Sequence, residues 1–218
     1  MTIFTATEQN RVNRHSERGR YDRHEIYPII DEALICHVGI VADGQPFVIP
    51  TIHARLGDTL YLHGAVASRM LRHIRDGNTI CAEFTLLDGI VFARSVFNHS
   101  MNYRSAVVFG LGRLVESDSE KMSALEAITE HIARGRWSEA WLPTRKELAA
   151  TLVVAVPIDS ASAKVRSGPP GDDAEDLSFP VWAGVLPFRQ QPLPPVPDPK
   201  MSTPIALPHY IAGYRRDR

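Results

Sequence analysis

The stretch "LICHVGIVADGQPFVIPTIHARLGDTLYLHG" (residues 34–64) constrains the fold of this chain more than any other. Three runs of β-branched and apolar residues are separated there by Asp43-Gly44 and Gly57-Asp58. Tight hairpin turns need positive φ, which Gly and Asp tolerate, so an Asp-Gly pair between such runs specifies a hairpin. Strands are expected over residues 34–42, 46–55 and 59–63. A helix follows from Ser68 to Arg75, closed by Gly77.

The same grammar continues downstream. "TICAEFTLLDGIVFARS" reads as two strands around Asp88-Gly89, and "RSAVVFGLGRLVE" as one long strand. Gly110 and Gly112 mark a bulge or barrel bend within it. "DSEKMSALEAITEHIARG" places Met122, Leu125, Ile128 and Ile132 on one helical stripe. "LAATLVVAVPI" and "SASAKVRSG" supply further strands. Upstream, "DRHEIYPIIDEA" has Asp22 and Glu25 at capping-box spacing, and Pro28 leaves one helix or two short helical turns open. Many short strands with few helices predict a mainly β fold, a closed or nearly closed β-barrel with peripheral helices. Residues 1–20 are expected as a polar, solvated N-terminal arm, 21–188 as the barrel domain, and 189–218 as an extended or disordered arm. Seven of the twenty residues from Arg189 to Pro208 are proline, which opposes sheet and helix.

Charge excludes some functions. With 24 basic and 25 acidic residues the net charge is −1, so no overall field recruits nucleic acid or anionic lipid. No run approaches the length of a membrane helix. "MTIFTATEQNR" has neither the basic start nor the apolar core of a signal peptide, so a cytoplasmic location is expected. Cys36 and Cys81 lie in apolar runs and are expected as buried thiols. The nine histidines show no metal-ligand spacing, so no metal site is expected.

Three groups of residues carry candidate chemistry. In "LYLHGAVASRM" a strand runs through His63 and Gly64 into a helix start at Ser68 and Arg69. A hydroxyl and a guanidinium beside free helix amides suit a phosphate monoester; an ordinary N-cap with Arg69 in solvent is the alternative. "RSVFNHSMNYRSAVVFG" concentrates Arg94, Asn98, His99, Tyr103, Arg104 and Ser105 between two strands, as a ligand-binding loop would. In "FVIPTIHAR", Pro50 implies an edge or irregular strand position, where backbone groups can meet a flat heterocycle.

Taken in order, the blocks "DEALICHVGIV", "GQPFVIPT", "LYLHGAVASRML", "LLDGIVFARSVFNHSMNYRS", "ASAKVR" and "PVWAGVLP" resemble the FMN-binding split barrels. The likeness is to the pyridoxamine-phosphate-oxidase-like branch, which includes nitroimidazole-resistance proteins. It implies a homodimer with FMN, or FAD, in the groove between barrels. By the same resemblance Val48, Ile49, Pro50 and Thr51 line the flavin ring, and His63 and Gly64 stand close by. Ser68 and Arg69 hold its phosphate, and Ser105 reaches it from the neighbouring subunit, with Tyr103 and Arg104 assisting. His99, Tyr103 and His63 are the candidate catalytic proton donors. Met70 replaces the basic residue that follows the phosphate-binding arginine in the true oxidases, and their C-terminal substrate signature has no counterpart here. The expected activity is therefore an FMN-dependent reductase of small electrophiles, not pyridoxamine-phosphate oxidation. The alternatives are a non-catalytic flavin carrier or sensor, and a haem-binding or haem-degrading split barrel using His63 and His99.

Overall fold

The computed structural model describes residues 3–203 and 205–215; residues 1, 2, 204 and 216–218, parts of the two expected arms, lie outside it. Among these residues ten strands form one antiparallel system: β1 (Gly19–Arg20), β2 (Ile35–Ala42), β3 (Gln45–Leu56), β4 (Thr59–Ala65), β5 (Thr79–Phe92), β6 (Ser100–Leu111), β7 (Arg113–Leu114), β8 (Thr151–Pro157), β9 (Ser160–Arg166) and β10 (Gly184–Pro187). Among the described residues five α-helices flank it: α1 (Arg23–Glu32), α2 (Arg69–Arg75), α3 (Asp118–Ile132), α4 (Arg145–Ala150) and α5 (His209–Ala212). The strand order is β1-β9-β6-β5-β2-β3-β4-β8-β7, with β10 added to β5. Because β7 follows β6 directly, β6–β5–β2–β3–β4–β8–β7 is a ring. This is the expected mainly β barrel with peripheral helices.

The ring turns its corner at Gly112, between β6 and β7. A Cβ there would lie 2.3 Å from Ile74 Cγ2, and one at Gly110 would lie 2.5 Å from Val156 Cγ1. Only glycine lets the chain leave β5 and β9 for β8 at such close quarters. Inside the ring, Val38, Leu60, Leu62, Leu71, Ile74, Phe84, Val108, Val154 and Val156 form the main core, joined by Ile26, Ile29 and Ile30 of α1. On the outer side, Ala124 and Ile128 of α3 pack on Ala54, Tyr61, Val153 and Ala155. His53 is fully buried and its Nε2 bonds to the Ile30 carbonyl at 2.9 Å.

Several expectations change. Asp88-Gly89 is not a hairpin turn: β5 runs through it, with a register shift between Leu87 and Gly89. Gly89 is required because β10 lies so close that a Cβ would stand 2.7 Å from the Leu186 carbonyl. α1 is a single helix that keeps Pro28, with Asp22 accepting from His24 N as N-cap. Pro28 is the sixth of ten helical residues, and the bond its missing N–H forfeits is offset by burial of Ile26, Ile29 and Ile30 on the same helix. The "LAA" of the expected strand closes α4 instead, whose start is a capping box of Thr144 and Glu147. The N-terminal segment is not simply solvated: Phe4 is buried in the core and Asn10 donates to the Ala161 carbonyl. Past the prolines, α5 forms after Pro208 and docks by Tyr210 on Glu139 (2.7 Å) and Tyr214 on the Ile132 carbonyl (2.6 Å). Cys36 is buried, its thiol pushed up to about 12 by burial, whereas Cys81 is only half-buried.

Candidate functional site

Strands β3 and β4 are joined only where residues 53–56 pair with 59–62. Beyond His53 and Leu62 they part. Residues 45–52 of β3 continue against β2 alone, while His63, Gly64 and Ala65 of β4 continue against β8. The gap leaves one backbone edge of β3 unpaired along Val48, Ile49, Pro50 and Thr51. Unpaired strand edges carry donors and acceptors in a row, which suits the polar rim of a flat ring. Pro50, which could not serve a ladder on both sides, belongs in such a place.

α2 stands across this split. Ser68 is its N-cap and accepts from Leu71 N at 3.4 Å, which leaves the hydroxyl proton free to donate. Arg69 is exposed but not loose in solvent: its guanidinium lies over the Phe47 ring of β3, 4.3 Å from the centroid. It makes no ion pair among the described residues. At seven residues α2 offers a modest dipole, so an anion held here depends on the guanidinium and hydroxyl more than on helix amides. Gly64 keeps the other lip close, since a Cβ would touch Leu71 Cδ1 at 3.1 Å.

His63 is the first residue of β4 beyond its pairing with β3. It is half-buried, its Nδ1 is buried without a hydrogen-bond partner, and burial lowers its pKa. A neutral imidazole with an unsatisfied buried nitrogen costs free energy unless something binds it.

The other expected residues lie elsewhere. Tyr103, Arg104 and Ser105 are on β6, separated from β3 by β5 and β2, about 14 Å at the usual strand spacing. Ser105 Oγ donates to the Lys164 carbonyl at 3.3 Å. Arg104 is held by Glu32 (2.6 and 2.9 Å) and Asp88 (2.9 and 3.0 Å), two bidentate pairs that push its pKa up. His99 is exposed beyond the far end of β5, where Nδ1–H donates to the Ser95 carbonyl at 3.0 Å and the ring meets Phe92 edge-on. The three candidate proton donors thus occupy three separate places. Sequence reasoning missed Phe47 as the platform under Arg69, and the run of arginines at 69, 72 and 75. Their spacing of three along "SRMLRHIR" was the available signal.

Among the described residues no group of three or more His, Cys, Asp or Glu side chains could hold a metal ion. No helix among them is long and apolar enough to cross a membrane.

A ring of antiparallel strands that parts between β3 and β4 defines a split barrel. The sequence profile described as pyridoxamine 5′-phosphate oxidase matches residues 22–165, and the chain belongs to that family. A flavocytochrome of Azotobacter vinelandii is 38% identical over 96% of this chain and 97% of its own, with a TM-score of 0.90. An FAD- and haem-binding protein of Mycobacterium smegmatis is 36% identical over 90% and 96%, with a TM-score of 0.86. A protein assigned to 5-nitroimidazole antibiotic resistance in Bacteroides thetaiotaomicron is 28% identical over 67% and 86%, at 0.58. Curated protein sequences give no match.

Proposed function

We propose that the chain binds a flavin in the split between β3 and β4 and acts as a flavin-dependent oxidoreductase on small electrophilic substrates. The observation that carries this reading is the unpaired β3 edge at residues 48–51 opposite the unpaired Arg69 guanidinium. Similarity over nearly the whole length to a flavocytochrome and to an FAD- and haem-binding protein supports it. The β3 edge orients the ring by its backbone groups. Arg69 and the Ser68 hydroxyl neutralise and fix the phosphate. A bound flavin supplies hydride transfer, and the chain supplies position and electrostatics.

The site is completed by a second copy of the chain. Ile35, Val41 and Val48 form an exposed apolar face on β2 and β3, Val48 being 69% exposed. Such a face asks for cover, and a two-fold dimer gives it. Tyr103 and Ser105, out of reach of the split in their own chain, then come to it from the neighbouring one.

A second reading is favoured by His63. Its unsatisfied nitrogen and its neutral state suit ligation of a haem iron, a group that supplies one-electron chemistry, better than proton donation. His99 also presents an open Nε2 with Nδ1 anchored to a carbonyl, which makes it the control.

Visible spectroscopy of the purified chain tests both. Flavin bands are expected, before or after addition of flavin, and Arg69→Ala should weaken flavin affinity about tenfold, or ~1.4 kcal/mol. Absence of flavin bands after reconstitution ends the proposal. A Soret band on haem titration should vanish in His63→Ala and persist in His99→Ala; the reverse moves the iron to His99. Flavin bands without NAD(P)H oxidation in the presence of an acceptor would make the chain a carrier or sensor.

A further inference from the structure

We infer that the proline run Pro192–Pro197 of one chain lies on the aromatic platform of Trp182, Phe92 and His99 in a second copy, so that two chains clasp each other by exchanging straps. The inference rests on the two-chain reading above and names a contact within it.

The platform is aromatic, open and held in place. Trp182 is 67% exposed, and its ring centroid lies 5.9 Å from that of Phe92. The Phe92 ring meets the exposed His99 ring edge-on at 6.0 Å. Gly184 lets the indole lie against the backbone, since a Cβ there would stand 2.9 Å from Trp182 Cζ2. The segment leading into the turn at Val96–Asn98 is clamped by Asp172, which accepts from Arg94 N at 2.8 Å, Ser95 N at 3.4 Å and the Arg94 guanidinium at 2.9 Å. That turn adds Phe97, 92% exposed. Large rings fixed in water, rather than folded onto the core, mark a surface that binds something.

The strap has the matching chemistry. A proline-rich run takes the polyproline II form, with three residues per turn and no internal hydrogen bonds. On that period Pro192 and Pro195 share one edge, Leu193 and Val196 the second, and Pro194 and Pro197 the third. Every edge is apolar, and every residue of the run is exposed. Leu193 and Val196, the two residues of the run with an N–H, donate it to nothing among the described residues. Grooves lined by aromatic rings receive segments of this kind, because proline packs flat on a ring and has little conformational freedom left to lose. The strap is also tied at both ends, by Phe188 N to the Asp88 carbonyl at 2.9 Å and by α5 on Glu139 and Ile132, which lowers the cost of ordering it.

The strap covers nothing in its own chain. It leaves β10 by the Pro187 end, whereas the platform stands at the Gly184 end, about 10 Å back along the strand for three steps. Both halves of the contact belong to this sequence, which favours a second copy over a foreign partner. A two-fold axis that brings one strap to one platform brings the other pair together as well, so the contact counts twice.

The test uses the full chain with Trp137→Phe and Trp141→Phe, so that Trp182 alone reports. In the dimer its emission should lie to the blue of a water-exposed indole, and iodide should quench it at least about threefold less. Replacing Pro192, Pro194, Pro195 and Pro197 together by Ser should restore full quenching and weaken the dimer about tenfold by sedimentation. All four residues are exposed, so the variant keeps its fold, which circular dichroism checks. Leu193→Cys and Val181→Cys chains, co-expressed under different tags and treated with a short bis-maleimide, should give a covalent product carrying both tags that wild-type chains do not give. A dimer whose Trp182 is quenched like free indole, or a pair that gives no such product, overturns the strap exchange and leaves the two-chain site standing. A wild type that stays monomeric at every concentration overturns both. The flavin reading is judged separately, by its visible bands.

Discussion

Arg69 and Arg104 both stand beside a cavity at the barrel wall, and they differ in what has already been given to them. Arg104 lines a space of about 590 Å³ with Phe188 and Pro187, yet Glu32 and Asp88 hold its guanidinium from two sides. Arg69 faces a groove with only an aromatic ring beneath it. A guanidinium can serve a fold or serve a ligand, and the count of carboxylates within reach decides which. The split is thus built from groups left unsatisfied: a strand edge, a half-buried imidazole and an unpaired cation. The Arg104 cluster is built from groups already satisfied.

The largest expected effect breaks that contrast at Arg104. Arg104→Ala removes both bidentate pairs, one to Glu32 and one to Asp88. Arg104 is 32% exposed and Glu32 18%, so solvent screens part of the loss, and about 2 kcal/mol is expected. In a chain of this size that lowers Tm by roughly 4–8 °C. Arg69→Ala should shift stability by no more than about 1 kcal/mol, since the exposed residue makes no ion pair among the described residues and loses only its contact with the Phe47 ring. Thermal unfolding of the two flavin-free variants checks both. Equal losses would mean that Arg69 is structural and the split is no binding site.

The strands were legible in the sequence because alternation and turn chemistry are local. Asp43-Gly44 turned the chain as expected, with positive φ at both residues. Asp88-Gly89 carries the same two letters and turned nothing, because β6 runs past it on one edge and β10 on the other, holding the strand straight. Local chemistry proposed a hairpin and tertiary pairing overrode it. The site divides in the same way. Ser68 and Arg69 could be found because a strand, a small-residue turn and a helix start adjoin in sequence. The saturation of Arg104 could not, since Glu32 lies 72 residues away and the two meet only through α1 packing beside β6. The parting of β3 from β4 was equally hidden, because nothing in "FVIPTIHAR" says where pairing with the next strand stops.

A smaller effect is expected at Phe47, whose ring lies under the Arg69 guanidinium. A cation over an aromatic face is worth about 0.5–1 kcal/mol at an exposed site. Phe47→Leu keeps an apolar group and removes the face, so flavin affinity should fall roughly two- to fivefold by the same energy. Unchanged affinity, measured by flavin titration, would show that the guanidinium is placed by α2 alone.

The smallest effect concerns His63 and has a sign that can be worked out. Burial lowers its pKa below the ordinary 6.5. As pH falls through 6.5 the unfolded chain takes up a proton at this residue before the folded chain does, and the folded state loses stability. The His63 contribution is intact above that pH and is lost progressively as pH falls toward the folded-state pKa. His63→Gln should flatten this part of the profile in the flavin-free protein. Denaturant unfolding from pH 7.5 to 5 measures it, and the difference between wild type and variant cancels the other titrating groups. Identical slopes would show that His63 is as well solvated in the folded chain as in the unfolded one. A ligand that takes the unsatisfied nitrogen, as a haem iron would, competes with the proton and should carry the stable range of the wild type to lower pH.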